Sequence, residues 1–228
     1  AFDINAGCLG FIAAIDTISS LIKIGKYRNV LIVCADIASP GLDWRNLDAS
    51  SIFGDGAAAI ILGKVSNDSG LEKSKIWTSK MISIPEGAHY CEIQGLGSRY
   101  HPSKNVSLNL DDLNYFQMNG KAVYKLASVY LPEFLSELLT SSKLQMKDID
   151  WVVPHQASRL AIDHLVKRLA INRDRVIDIF ADYGNQVSAS LPSALAIGIT
   201  QGRIKRGDRI LLVGTGAGLS IGGVILTY

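Results

Sequence analysis

Three residues sit where the local sequence could do chemistry. Cys8 follows the small-residue turn Ala6-Gly7 and opens an apolar run at helical spacing through Leu9, Ile12, Ala13, Ile15, Ile18, Leu21 and Ile22. The free N–H groups and dipole of a helix start favour a thiolate there, so Cys8 is a candidate nucleophile; the alternative is a cysteine that is simply buried. His155 follows a short apolar run and Pro154, in the turn before another helix, a loop end at which α/β proteins place reactive groups. The alternative is a histidine that caps or packs the turn. Asn185 lies in the turn Gly184-Asn185-Gln186, where asparagine often serves the backbone by forming Asx turns or tolerating left-handed dihedrals.

The remaining candidates are weaker. Cys34, inside an apolar strand, and Cys91 read as structural, and His89, His101 and His164 as solvated. No CxxC or HxxxH pair occurs, so no metal site is expected. The glycine run at residues 214–218 suggests a dinucleotide fingerprint, yet a strand rather than a helix follows it, and the Rossmann reading fails. A tight glycine turn beside a nucleophile can instead present backbone N–H groups to an oxyanion, the N–H of Cys8 being the second donor.

Positioning these groups takes a folded core. The 228 residues are 48% hydrophobic and 19% charged with a net charge of +2, which excludes disordered, collagenous and coiled-coil classes. Basic and acidic residues number 23 and 21, so nucleic acid and anionic membrane are not expected partners. The longest apolar stretches, residues 30–35 and 57–62, fall far short of the roughly 20 needed to cross a bilayer. A soluble protein in a reducing cytoplasm is expected, and the N-x-S matches at Asn67 and Asn105 are then chance.

Along the chain, residues 1–5 read as a strand entering the Cys8 helix, and residues 29–35 as a strand covered on both faces, together a β-α-β unit. Another buried strand is expected over 57–63, then a hairpin and long connection over 66–112 with strand signals near 76–84 and 91–93. A helical stripe spans 116–139, with Pro132 expected to kink it or start a new helix. Strand 151–153, helix 158–169, strand 175–179, helix 188–201 and strands 210–213 and 220–226 complete the pattern. Laid over each other without a gap, the two units pair Asn5 with Asn185, Ala14 with Ala194, Ile24 with Ile204 and Leu31 with Leu211. Two copies of one α/β half would place their turns near each other across a pseudo-two-fold axis. The first copy lacks its opening elements, so an N-terminal segment is expected to be missing.

Ala1-Phe2-Asp3-Ile4-Asn5-Ala6-Gly7-Cys8-Leu9-Gly10-Phe11, Phe53-Gly54-Asp55-Gly56-Ala57, Val153-Pro154-His155-Gln156-Ala157, Tyr183-Gly184-Asn185 and Gly202-Arg203-Ile204-Lys205-Arg206-Gly207-Asp208 resemble β-ketoacyl-acyl carrier protein synthase III, a condensing enzyme of the thiolase superfamily. The resemblance runs from end to end in the same order. It implies an α/β, thiolase-like fold of two similar halves in an α-β-α-β-α sandwich, the first half incomplete at its N-terminus. Residues 1–112 would hold the C-terminal part of the first half plus a connecting hairpin and loop, and residues 113–228 the second half. It also implies a longer family chain, by roughly half as much again.

The implied reaction is an acyl transfer. Cys8 would take an acyl group from acyl-CoA, and malonyl-acyl carrier protein would lose CO₂ and attack it, giving a β-ketoacyl thioester without any cofactor. By the resemblance, His155 and Asn185 would bind the malonyl thioester oxygen, and the N–H groups of Cys8 and Ala217 would form the oxyanion hole. Thr215 replaces an aromatic wall, Gly216 and Lys121 line the tunnel with Lys121 in place of an asparagine, and Ser158 also stands where asparagine is common. Arg159, Lys167 and Arg168, with Arg203, Lys205 and Arg206 as further members, could meet an acidic carrier protein; the alternative is a solvated face. A homodimer is implied. Two further functions stay open from the residues: a non-decarboxylating acyltransferase on the same scaffold, and a non-catalytic partner subunit.

Overall fold

The computed structural model describes residues 1–65, 74–95, 97–101, 103 and 111–228. The N-x-S matches at Asn67 and Asn105 lie outside them, as does most of the connection between residues 96 and 110.

β-branched and aliphatic runs form the sheets. Strands β1 (Asn29–Asp36) and β2 (Gly56–Gly63) pair antiparallel in unbroken register from Asn29 opposite Gly63 to Asp36 opposite Gly56. The second sheet has the order β3-β8-β7-β6, built from β3 (Lys75–Ser83), β6 (Trp151–Pro154), β7 (Arg209–Gly216) and β8 (Ser220–Thr227). Only the β6–β7 pair is parallel; β7–β8 and β3–β8 are antiparallel. A two-residue ladder joins β4 (Cys91–Glu92) to β5 (Gln117–Met118).

Amphipathic helices separate and cover the sheets. Helices α1 (Gly10–Lys23) and α6 (Ser190–Thr200) lie between them: Ile12, Ile15, Ile18, Leu191 and Ala194 share one core with Ile32 and Cys34 of β1 and with Ile210, Leu212 and Val224 of the second sheet. Helices α3 (Gly120–Ser142) and α4 (Arg159–Leu169) cover that sheet's other face, where Phe134, Leu138, Ile162 and Leu165 pack on Leu211, Val213, Ile221 and Ile225. The short helices α2 (Leu47–Ser50) and α5 (Phe180–Tyr183) complete the described set. The order through the molecule is thus helix, sheet, helix, sheet.

Several expectations change. Residues 1–5 form no strand, and residues 175–179 keep only a bridge between Val152 and Val176. Among the described residues β3 pairs with β8 rather than in a hairpin, so the second sheet recruits a strand from before residue 112. Strand β1 is covered on one face only, since Ile32 and Cys34 point inward while Leu31 and Val33 are each 61% exposed beside Ile61 at 74%. At Pro132, of the two outcomes expected, the new start does not occur: helix α3 runs through it, and Pro132 is exposed, so a freed carbonyl there can reach water.

The internal repeat is visible in the backbone. In the register that pairs Asn5 with Asn185, the 3₁₀ turn Gly7–Leu9 matches the 3₁₀ turn Val187–Ala189, α1 and α6 start together, and β1 and β7 coincide end to end.

Candidate active site

Three turns that each lead into a helix hold the candidate residues, and they meet near the end of β7. The 3₁₀ turn holding Cys8 packs against both β7 and the 3₁₀ turn after Asn185. Leu9, fully buried, drives this: a Cβ added at Gly216 would stand 3.1 Å from its Cγ, and the backbone of β7 approaches that closely because glycine is there. A Cβ added at Gly214 would stand 2.6 Å from His155 Cβ and 3.4 Å from Leu9 Cδ2, so Gly214 is the spacer between the histidine and cysteine turns.

His155 is buried, its backbone N–H bonded to the Val213 carbonyl at 2.8 Å. Burial alone pulls its imidazole down to about 4, so it is neutral at physiological pH, and among the described residues its buried Nδ1 has no hydrogen-bond partner. Gln156 straps the turn in place: Nε2 donates to the carbonyls of Pro154 and Ile177 at 2.7 and 3.2 Å, and Oε1 accepts the Ile179 N–H at 2.9 Å. Ser158 caps α4 by accepting the Ala161 N–H at 3.1 Å.

Cys8 is half-buried, and its thiol is pushed up to about 12. Desolvation is the main cause, with Cys91 and Asp36 adding to it, while the N–H groups of Cys8 and Ala217 act the other way. The helix start therefore does not by itself yield the thiolate expected from sequence: burial wins, and the resting pair is thiol and neutral imidazole. Cys91, read as structural, is also held high, at about 11, by burial.

Asn185 is buried and clamped by the first half of the chain. Its N–H donates to the Ile52 carbonyl at 2.8 Å and its carbonyl accepts the Gly54 N–H at 3.1 Å, a parallel bridge between Phe53 and Asn185. Gly54 permits this approach, since a Cβ there would lie 2.1 Å from the Tyr183 carbonyl oxygen. Gln186 Nε2 reaches the Asp55 carbonyl at 3.2 Å. The Asp55 carboxylate accepts the Ser39 N–H and hydroxyl at 2.9 and 2.7 Å, which holds it below the usual carboxylate range. The Asn185 side-chain oxygen accepts the Val187 N–H at 3.0 Å, and among the described residues its amide nitrogen has no partner.

A cavity of about 810 Å³ opens beside these turns, mostly apolar, with His155, Gly214, Thr215, Lys121 and Lys167 among its lining. Cys8, Asn185, Gly216 and Ala217 are not among the residues that line it. His164, expected to be solvated, is half-buried in the wall, with Tyr124 Oη 2.7 Å from Nδ1 and Ser128 Oγ 3.2 Å from Nε2; burial, Arg168 and Lys167 lower its basicity. This trio was invisible in sequence because α3 and α4 meet only in the fold. His89 and His101 are exposed, as expected. Of the basic candidates, Arg159 is tied to Asp178 at 2.8 Å in a network that includes Arg173 and Asp163, and Arg203 donates to the carbonyls of Asp174 and Val176 at 2.9 and 3.2 Å. Lys167 and Arg168 are exposed near the cavity. Among the described residues no cluster of three metal-ligating side chains occurs, and no helix is long and apolar enough to cross a membrane.

Comparison with known proteins shows the family of the chain. The family model for 3-oxoacyl-[acyl-carrier-protein] synthase III matches residues 2–83, and the model for its C-terminal part matches residues 139–228. A β-ketoacyl-[acyl-carrier-protein] synthase III of Clostridium perfringens is 38% identical across 99% of the chain and 67% of that protein. The crystal structure of 3-oxoacyl-[acyl-carrier-protein] synthase III from Aquifex aeolicus superposes with a TM-score of 0.86 at 34% identity, covering all of this chain and 67% of that one. A Thermus thermophilus counterpart gives 0.87 at 32% identity, covering all of this chain and 68% of that one. The chain thus spans about two thirds of the length of these relatives.

Proposed function

Because the chain belongs to the 3-oxoacyl-[acyl-carrier-protein] synthase III family, we propose that its turns carry out that family's two-step condensation, with Cys8 as the acyl acceptor. The thiol of Cys8 adds to the carbonyl carbon of an acyl-CoA, its proton passing to solvent. The carbonyl oxygen charge is received by the N–H groups of Cys8 and Ala217, the two that face the sulfur. The carbon–sulfur bond to CoA then breaks, the CoA thiolate takes up a proton, and an S-acyl enzyme remains.

In the second step malonyl-acyl carrier protein loses its carboxylate as CO₂, and the electron pair of that bond becomes an enolate. The enolate carbon attacks the acyl carbon, and Cys8 leaves and is reprotonated. Charge develops on the thioester oxygen, and two donors fit that need: neutral His155 and the unpartnered amide nitrogen of Asn185. A preorganised donor of this kind contributes about 3–4 kcal/mol in comparable sites. No cofactor enters either step. The observation that carries the reading is the junction itself: Gly214 and Gly216 of one strand hold the histidine and cysteine turns against each other while the asparagine turn packs beside them.

The apolar cavity, with Thr215, Gly214 and Lys121 among its lining, fits the pantetheine arm shared by CoA and the carrier protein. Lys167 and Arg168, exposed near the cavity, are the basic residues best placed to meet the carrier there; Arg159 is neutralised by Asp178. A homodimer working in the cytoplasm completes the reading.

The test is intact-protein mass spectrometry with a panel of short, medium and long acyl-CoAs, followed by malonyl-acyl carrier protein and CO₂ measurement. Cys8→Ala should abolish the acyl adduct, whereas His155→Ala and Asn185→Ala should keep much of it and suppress CO₂ release. Equal loss of acylation in all three variants would refute this division of roles.

A further inference from the structure

The turn that presents Asn185 contains a residue in a conformation its side chain resists. Val187 has φ +51°, in the left-handed region, which a β-branched residue rarely adopts. Such a residue persists only where its surroundings over-determine it. The repeat shows what is unusual here: the matching residue of the cysteine turn, Gly7, has φ +50° and is a glycine, for which the conformation carries no steric penalty. Both turns use the same internal bond, Asn5 Oδ1 accepting the Gly7 N–H at 3.3 Å and Asn185 Oδ1 accepting the Val187 N–H at 3.0 Å.

The two turns differ in what grips the next residue. At the end of β1, the Asp36 carboxylate accepts two hydrogen bonds from Ser188, one from its N–H at 3.0 Å and one from its hydroxyl. The corresponding residue at the end of β7 is Gly216, which offers the cysteine turn no acceptor side chain. The copy with valine at the strained position has the clamp, and the copy with glycine has none. Asp36 does not line the cavity and, among the described residues, has no ion-pair partner; the hydrogen bonds its carboxylate accepts come from Ser188.

We propose that Asp36 is a positioning residue for the condensation step: by gripping Ser188 it holds Val187 in its strained conformation and so fixes the direction of the Asn185 amide. The inference rests on the proposed role of Asn185. Removing the clamp lets residue 187 relax toward negative φ, which turns the peptide joining Gln186 to Val187 and swings the Asn185 amide. A displacement near 1 Å at such a group costs on the order of 10²-fold in rate.

The experiment compares Asp36→Ala, Asp36→Asn, Val187→Gly and the Asp36→Ala/Val187→Gly pair, reading Cys8 acylation by mass and CO₂ release from malonyl-acyl carrier protein separately. Asp36→Ala should acylate within a few-fold of the parent and condense about 10²-fold more slowly. Asp36→Asn keeps an oxygen able to accept both Ser188 bonds and should recover most of that loss. Val187→Gly removes the strain, so adding it to Asp36→Ala should restore at least about tenfold; a merely structural role for Asp36 gives no such rescue. A pair no faster than Asp36→Ala, or parallel loss of acylation and condensation in Asp36→Ala, overturns the proposal. If the parent acylates but never condenses, the proposed function fails. Crystal structures then decide the clamp separately: residue 187 leaving positive φ in Asp36→Ala supports it, and an unmoved Val187 and Asn185 refute it.

Discussion

Gly214 offers the sharpest test of the junction, because the smallest possible change there acts on two reacting turns at once. In Gly214→Ala the new methyl would lie 2.6 Å from His155 Cβ and 3.4 Å from Leu9 Cδ2, where ordinary contact begins at 3.4 Å. The histidine turn must therefore retreat by roughly 0.8 Å. It cannot do so by a rotamer change, since Cβ is fixed to the backbone and Gln156 ties that backbone to Pro154, Ile177 and Ile179. Overpacking of this kind costs about 1–3 kcal/mol of stability, while a shift near 1 Å at a group that stabilises developing charge costs about 10²-fold in rate. Stopped-flow or steady-state measurement of CO₂ release from malonyl-acyl carrier protein, beside Cys8 acylation by mass and a thermal melt, separates the two effects. We expect condensation to fall about 10²-fold, with acylation falling less, because Leu9 stays at ordinary contact distance. A folded Gly214→Ala protein with parental condensation rate would refute the claim that this glycine sets the spacing between the histidine and cysteine turns.

His155 also predicts the shape of the acid limb of stability. Its imidazole is held down to about 4 by burial, so between about pH 6.5 and 4 the unfolded chain binds the proton that the folded chain refuses, and stability falls as pH falls through that window. The loss is on the order of 3 kcal/mol across the window; denaturant melts at several pH values should show it, and a folded His155→Gln protein with the same slope would contradict it. Cys8, pushed up to about 12, should alkylate with iodoacetamide on a pH profile that still rises above pH 9, and Asp36→Asn should move the profile down. A profile levelling near pH 7 would show the helix start outweighing burial. In Gly54→Ala the added Cβ would meet the Tyr183 carbonyl oxygen at 2.1 Å, which must break the bridge to Asn185; a melting-point drop of about 3–10 °C is expected, with condensation falling more than acylation. An unchanged melting point would mean that the two halves are not joined there.

What could be read from the sequence was whatever lay within one or two turns of chain. Helices α1, α4 and α6 and strands β1, β2, β7 and β8 announce themselves by periodicity or apolar runs, and the turns bearing Cys8, His155 and Asn185 lie between such signals. The errors come from non-local pairing. Strand β3 lies beside β8, far along the chain, and nothing in its own residues distinguishes that from a hairpin. Residues 1–5 have strand-like composition but no neighbour to pair with among the described residues. In β1, Leu31 and Val33 are as apolar as Ile32 and Cys34, so sequence could not reveal that one face stays bare. At the site, Asp36 reads as a single charge ending an apolar run, and the Tyr124–His164–Ser128 trio needs α3 and α4 to meet.

The repeat poses a question that its own geometry answers: why the proposed nucleophile sits in one turn and not in the other. The backbones agree, Gly7 with Val187 in φ and Asn5 with Asn185 in the bond each accepts, so the start of α6 has the shape that would hold an oxyanion at the start of α1. The residue matching Cys8 is Ser188, and its N–H and hydroxyl are both engaged by the Asp36 carboxylate. A fixed anion thus fills in the second copy the place a developing oxyanion needs in the first. Gly216, standing where Asp36 stands in the repeat, leaves the N–H of Cys8 without a carboxylate and lets the Ala217 N–H approach the sulfur. In the second copy the donors are already engaged by Asp36. In the first they stay open, and the acyl chemistry proposed for Cys8 would follow from that single difference at the end of two equivalent strands.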